Sequence, residues 1–145
     1  SVEEKVARAI EQGAEVLCGG HRVGEKGYFY AVTLLDNCRQ DMDIIHEETF
    51  GPVLPIVEWE NIDEVLAWAN DCEYGLASSV FTNDINIATR CVRELEFGET
   101  YINRFHFEAI QGFHAGVKKS GIGGADGKHG VEEYLRTHVT YLQTR

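Results

Sequence analysis

A chain of 145 residues with 43% hydrophobic content is long and apolar enough to fold as one domain around a core, which counts against intrinsic disorder. Thirteen basic residues against 24 acidic ones leave a net charge of −11, a balance that repels phosphate backbones and anionic lipid, so neither nucleic acid nor a membrane surface is an expected partner. No apolar run approaches the roughly 20 residues of a membrane span, and the opening SVEEKVARAIEQ lacks a signal peptide's basic start and apolar centre, so the expected location is the cytoplasm.

Val2, Val6, Ala7 and Ile10 share one helical face, and Gly13 supplies a stop, so the chain is predicted to open with a helix. Ala14 to Cys18 and Tyr28 to Leu35 read as strands separated by a turn-rich excursion. Val53 to Trp59 reads as a strand interrupted by Pro55. Asn61 then caps a helix that buries Ile62, Val65, Leu66 and Ala69. Leu76 to Thr82 is the next strand. Asn83 or Asp84 caps a helix with Ile87, Ala88, Cys91, Val92 and Leu95 on one face, and Gly98 ends it before a strand at Glu99 to Asn103. Short apolar strands joined by helix-length crossovers predict an α/β fold with a parallel βαβαβ sheet. Residues 104–130 form a Gly-rich segment too long for a simple connector. Val131 to Arg136 reads as a short helix, and His138 to Gln143 alternates as a terminal strand that has no nearby partner in sequence.

Most familiar motifs fail on spacing. Gly121-Ile122-Gly123-Gly124-Ala125-Asp126 begins like a dinucleotide fingerprint but has Asp126 where the third glycine belongs. After Gly116, Ile122 stands where a P-loop needs its lysine. A zincin helix would need a histidine four residues after His46, where Phe50 stands, and no metal site is read. Ser78, Ser79 and Ser120 lack the flanks of a nucleophile elbow. Cys18, Cys38, Cys72 and Cys91 form no C-x-x-C pair and read as reduced structural thiols.

The stretch HEETFGPV, His46 to Val53, remains. Adjacent acids are usually a solvated face, but a Gly-Pro break directly downstream fixes the side chains before it. A carboxylate accepts hydrogen bonds from neighbouring hydroxyls and an aromatic ring packs on a flat heterocycle, so Glu48 and Phe50 would suit a ribose with its base.

HEETFGPV resembles the E-E-x-F-G-P-V motif of the NAD(P)-dependent aldehyde dehydrogenases. Phe97 to Asn103, the Lys118-x-Ser120-Gly121-Ile122-Gly123 run and the earlier Gly27-Tyr28-Phe29 resemble later landmarks of that family in order, so the resemblance covers the whole chain. GETYINR and KKSGIGGADGKHG are most similar to the lactaldehyde and glycolaldehyde dehydrogenases. The resemblance implies that Glu48 binds the nicotinamide ribose of NAD or NADP and that Phe50 packs near the nicotinamide. It also implies that the catalytic cysteine, the glutamate that activates water and the coenzyme domain all lie upstream. This chain would then be a C-terminal piece, inactive by itself. Residues 1–137 would belong to the catalytic domain and 138–145 would be a terminal strand used in homo-oligomer assembly.

Where the family pattern has F-G-G, this sequence has His114-Ala115-Gly116, and Glu108 stands earlier in the loop. Both side chains can hydrogen-bond a substrate hydroxyl, so a small hydroxyaldehyde such as lactaldehyde is the expected substrate. The bland alternative is that both face solvent in a loop. Val32, where the family often has proline, has no evident consequence. Two rival readings are a non-catalytic dimerisation or assembly module that uses the terminal strand, and a free-standing nucleotide-binding domain.

Overall fold

The computed structural model describes residues 1–145 and shows an α/β chain with both parallel and antiparallel strand pairs. It divides into two compact units, Ser1–Val65 and Leu66–Arg145. No helix is long and apolar enough to cross a membrane.

In the first unit α1 (Val2–Glu11) is followed by β1 (Glu15–Cys18), β2 (Thr33–Asp36), the single turn α2 (Asp43–His46) and β3 (Val53–Pro55). The α1 face turned inward is Val6 and Ala9. Ala7 and Ile10, expected on the buried face, are exposed. β2 lies between its neighbours, antiparallel to β1 and parallel to β3, with Thr33 opposite Val53. β3 therefore pairs with β2 and not with the strands that follow it in the predicted βαβαβ unit. Leu35 and Met42, both fully buried, pack with Val6, Ala9, Ala14, Cys38 and Ile44.

The strand predicted from Tyr28 starts later because residues 21–31 form an arm of their own. In that arm His21 O accepts from the Ala31 N–H at 2.9 Å and Phe29 O from the Val23 N–H at 2.9 Å. The arm closes on Thr33, which is completely buried. Its hydroxyl accepts from the Gly20 N–H at 2.8 Å and donates to Ala31 O at 2.8 Å, so no polar atom of that side chain goes unused. Gly19 faces the same clamp. A Cβ there would sit 2.2 Å from Val32 O, and its φ of +75° is in the left-handed region.

Helix α3 (Ile62–Asn70) starts where Asn61 Oδ1 accepts from the Asp63 N–H at 2.8 Å, the cap expected from sequence. In the second unit come β4 (Tyr74–Gly75), β5 (Ala77–Val80), α4 (Ile85–Glu94) and β6 (Glu99–Ile102). Asp84 caps α4 by accepting from the Asn86 N–H at 2.8 Å, and Ala88 and Cys91 are its buried residues. β5 and β6 pair in parallel, so β5-α4-β6 is the crossover unit that the alternating pattern predicted. Asn103 closes the open end of the pair, since its amide accepts from the Thr82 N–H at 2.8 Å and donates to Thr82 O at 2.9 Å.

The Gly-rich segment is more structured than its composition implied. β7 (His114–Ala115) pairs with β9 (Gly124–Ala125), β8 (Val117–Lys118) pairs with β4, and the short helix α5 (Gly127–Glu132) follows, four residues earlier than predicted. Side chains of the K-x-S-G run fasten it. Ser120 Oγ accepts from the Gly75 N–H at 2.9 Å, and Lys118 Nζ donates to Asn70 O at 2.7 Å and pairs with Glu96 at 2.8 Å. Residues 138–145 form no strand within this chain and all are exposed, because a strand needs a hydrogen-bonding partner and none of the chain's own strands supplies one.

Candidate functional site

The HEETFGPV turn begins as α2 ends, where the Glu47 N–H donates to Asp43 O at 2.8 Å. Gly51 then accepts from the Val53 N–H, and Pro52 O accepts from the Thr33 N–H, both at 2.8 Å, so the turn runs straight into β3. Gly51 is not in the left-handed region. Space is tight there, because a Cβ would lie 2.7 Å from Val2 Cγ2 and the Val2 side chain would have to shift.

The two acids of the turn differ sharply. Glu47 Oε2 pairs with Lys5 Nζ at 3.4 Å and with Arg8 Nη2 at 3.2 Å, while Arg8 also reaches Asp43 at 3.1 Å. Lys5 Nζ donates as well to the backbone oxygen of Glu48 at 2.5 Å. The Glu48 carboxylate is exposed and engaged by nothing in the chain, and two residues on the Phe50 ring is 88% exposed. One carboxylate holds the turn to α1, and the other stands free beside an open aromatic face.

In the second unit Glu108 and His114 do come together. His114 Nδ1 lies 3.6 Å from Glu108 Oε1 and 3.1 Å from Glu99 Oε1. Nδ1 is sealed from solvent and makes no hydrogen bond of good geometry, although both carboxylates lie close to it. Glu99 is fixed from its other side, where Tyr101 donates its hydroxyl to Oε2 at 2.7 Å. The His106 ring stacks at 5.1 Å on Tyr101, and the Arg104 guanidinium lies 5.6 Å from the centre of the same ring.

These contacts shift three titrations. The adjacent Glu99 carboxylate raises His114 above its ordinary value against the opposing effect of burial, with Glu108 and Asp126 adding to the rise. Burial pushes Glu99 up, but the Tyr101 hydroxyl, the His114 ring and the charges of His114 and His106 outweigh it and hold the carboxyl low. Tyr101 is pushed up to about 12, first by its bond to Glu99 and then by burial and carboxylate charge. Glu99, Glu108 and His114 bring one oxygen or nitrogen atom each within 4.8 Å of one another. The His114 ring thus lies against two carboxylates, a setting that favours its protonated form.

Sequence reasoning missed Glu99 and Tyr101. Two apart on β6, they point to the same side of the strand, and a polar pair at that spacing within GETYINR was the available signal. The buried thiols Cys38 and Cys91 are both pushed up, chiefly by burial, which agrees with their reading as structural.

Residues 1–140 match the aldehyde dehydrogenase family. Lactaldehyde dehydrogenase of Escherichia coli (strain K12) is 59% identical over 143 residues, which cover 99% of this chain and 30% of the relative. A crystal structure of lactaldehyde dehydrogenase from Escherichia coli superposes with a TM-score of 0.94 at 60% identity, over 99% of this chain and 30% of that one. Betaine aldehyde dehydrogenase from Staphylococcus aureus in complex with NAD+ superposes with a TM-score of 0.85 at 40% identity, over 93% of this chain and 28% of that one. The chain thus spans about 30% of the length of the curated relatives it matches. With the family's motifs in order along the sequence and its fold reproduced over nearly every residue, this chain belongs to the aldehyde dehydrogenase family.

Proposed function

We propose that this chain is the C-terminal part of an NAD(P)-dependent dehydrogenase that oxidises a small hydroxyaldehyde such as lactaldehyde to its acid. The observation that supports the substrate class is the Glu108–His114–Glu99 cluster, in which Glu108 and His114 are polar where the family pattern is apolar. The hydroxyl on the carbon next to the aldehyde can donate to a carboxylate and accept from an imidazole N–H. An alkyl aldehyde leaves both without a partner, at about 1–3 kcal/mol.

The HEETFGPV turn fits a nicotinamide nucleotide. Glu48 would accept hydrogen bonds from the ribose hydroxyls, and Phe50 would offer its open ring to the nicotinamide. When bound, the cofactor supplies a hydride acceptor. The residues of this chain hold and orient it, while the nucleophilic cysteine and the general base belong to sequence outside these residues. The larger parallel βαβαβ sheet would be completed in the whole enzyme, with 1–137 in its catalytic domain. Residues 138–145, exposed at Val139, Tyr141 and Leu142, would pair with another subunit of a homo-oligomer. Four free thiols favour the cytoplasm as the setting.

In the intact enzyme, replacing both Glu108 and His114 with phenylalanine is expected to lower kcat/KM for lactaldehyde relative to propanal by roughly ten-fold or more. A ratio of the two kcat/KM values that does not change would remove the substrate assignment.

A further inference from the structure

His114 has two ring edges with different surroundings. Nδ1 is shut away against Glu99 and Glu108, yet the side chain as a whole is 32% exposed, so the accessible surface lies on the rest of the ring, which includes Nε2. Glu99 is the better placed of the two carboxylates to set the ring. It is only 16% exposed against 47% for Glu108, it is nearer Nδ1, and its second oxygen is tied to Tyr101. Its strand is tied in turn, through parallel pairing with β5. Glu108 sits in the loop that follows and has no such support.

We propose that Glu99 is a positioning residue. Clamped by Tyr101, its carboxylate faces Nδ1 of His114 and keeps that ring oriented and positively charged, so that the outward edge presents a charged N–H to an oxygen of the hydroxyaldehyde. The inference rests on the substrate reading above and adds a residue that need not touch substrate. The groups that bear on the ring's charge are Glu99 on β6, Glu108 in the loop and Asp126 before α5, all of which favour the imidazolium. His106, against Tyr101, acts on Glu99 in the direction that keeps it ionised. The sign follows from these partners. His114 is raised, so its charge is complete at acidic pH, persists above the pH at which an ordinary histidine loses it, and disappears on an alkaline limb.

The test is the pH profile of the ratio of kcat/KM for lactaldehyde to that for propanal, measured on the intact enzyme. Taking the ratio cancels ionisations common to both substrates, including those of the nucleophile and the base. The native enzyme is expected to lose its preference along an alkaline limb that lies above the range in which an ordinary histidine loses its charge. In Glu99→Gln the limb moves to lower pH and the ratio at neutral pH falls about five-fold, as expected when a charged donor is exchanged for a neutral one. Glu99→Asp keeps the charge and is expected to return the limb toward its native position. A limb that stays in place in Glu99→Gln, or moves equally in both variants, overturns the assignment. His114→Phe separates the two levels: loss of the preference with an unmoved Glu99→Gln limb removes only the role of Glu99, while a preference intact in His114→Phe removes the substrate reading as well.

Discussion

Replacing Gly98 with alanine is expected to destabilise the protein by about 3 kcal/mol or more and, in the intact enzyme, to abolish the proposed preference for a hydroxyaldehyde. The added Cβ would lie 1.6 Å from the carbonyl oxygen of Ala115 and 2.8 Å from its carbon, and both atoms are backbone, so no side chain can swing aside. Gly98 directly precedes Glu99, and Ala115 directly follows His114. Relief of the clash must part the two strands that bring this pair within 3.1 Å of each other. Gly24→Ala is the comparison: its φ of +74° strains the backbone, but nothing lies within 4 Å of the new methyl, and about 1 kcal/mol is expected. Urea midpoints for the two variants check the order. A Gly98→Ala protein no less stable than Gly24→Ala would show that the strands can separate without cost.

The second large effect is at the turn. In the intact enzyme Glu48→Ala is expected to raise the KM for the nicotinamide cofactor by about ten-fold or more, the loss of a charged acceptor for two hydroxyls. Glu47→Ala should leave that KM within about two-fold and cost only about 1 kcal/mol, since its carboxylate and its Arg8 partner are about half exposed and only Lys5 is largely covered. Cofactor kinetics and urea midpoints measured side by side separate the roles. If Glu47→Ala damages the KM and Glu48→Ala does not, the two acids have been assigned the wrong way round.

Features governed by neighbours in sequence were legible. Asn61 and Asp84 cap the helices expected of them, Gly98 stands between α4 and β6, and the β5-α4-β6 crossover follows from its alternating apolar runs. What escaped depends on partners far along the chain. Nothing local to Glu15–Cys18 states that it runs antiparallel to β2. The pairing of Tyr74–Gly75 with Val117–Lys118 joins segments more than 40 residues apart, so the Gly-rich segment read as a loop. The site divides in the same way. Glu108 and His114 stood out as polar residues where an apolar motif was expected, whereas Glu99 gains its part only from Tyr101 on one side and His114 on the other. Glu47 and Glu48 are indistinguishable as letters. Lys5 and Arg8 of α1 tell them apart.

The clamp at Thr33 has a bearing on how such a chain can vary. The arm from His21 to Ala31 leaves and rejoins the first unit at one buried hydroxyl, which bonds Gly20 on the way out and Ala31 on the way back. With both ends fixed there, residues can be added to or taken from the tip of the arm without disturbing Leu35 or Met42 in the core. Doubling a flexible loop adds only about 0.6 kcal/mol of closure entropy. The arm is therefore a modular appendage, whose length and tip chemistry can change while the sheet beneath it keeps its register.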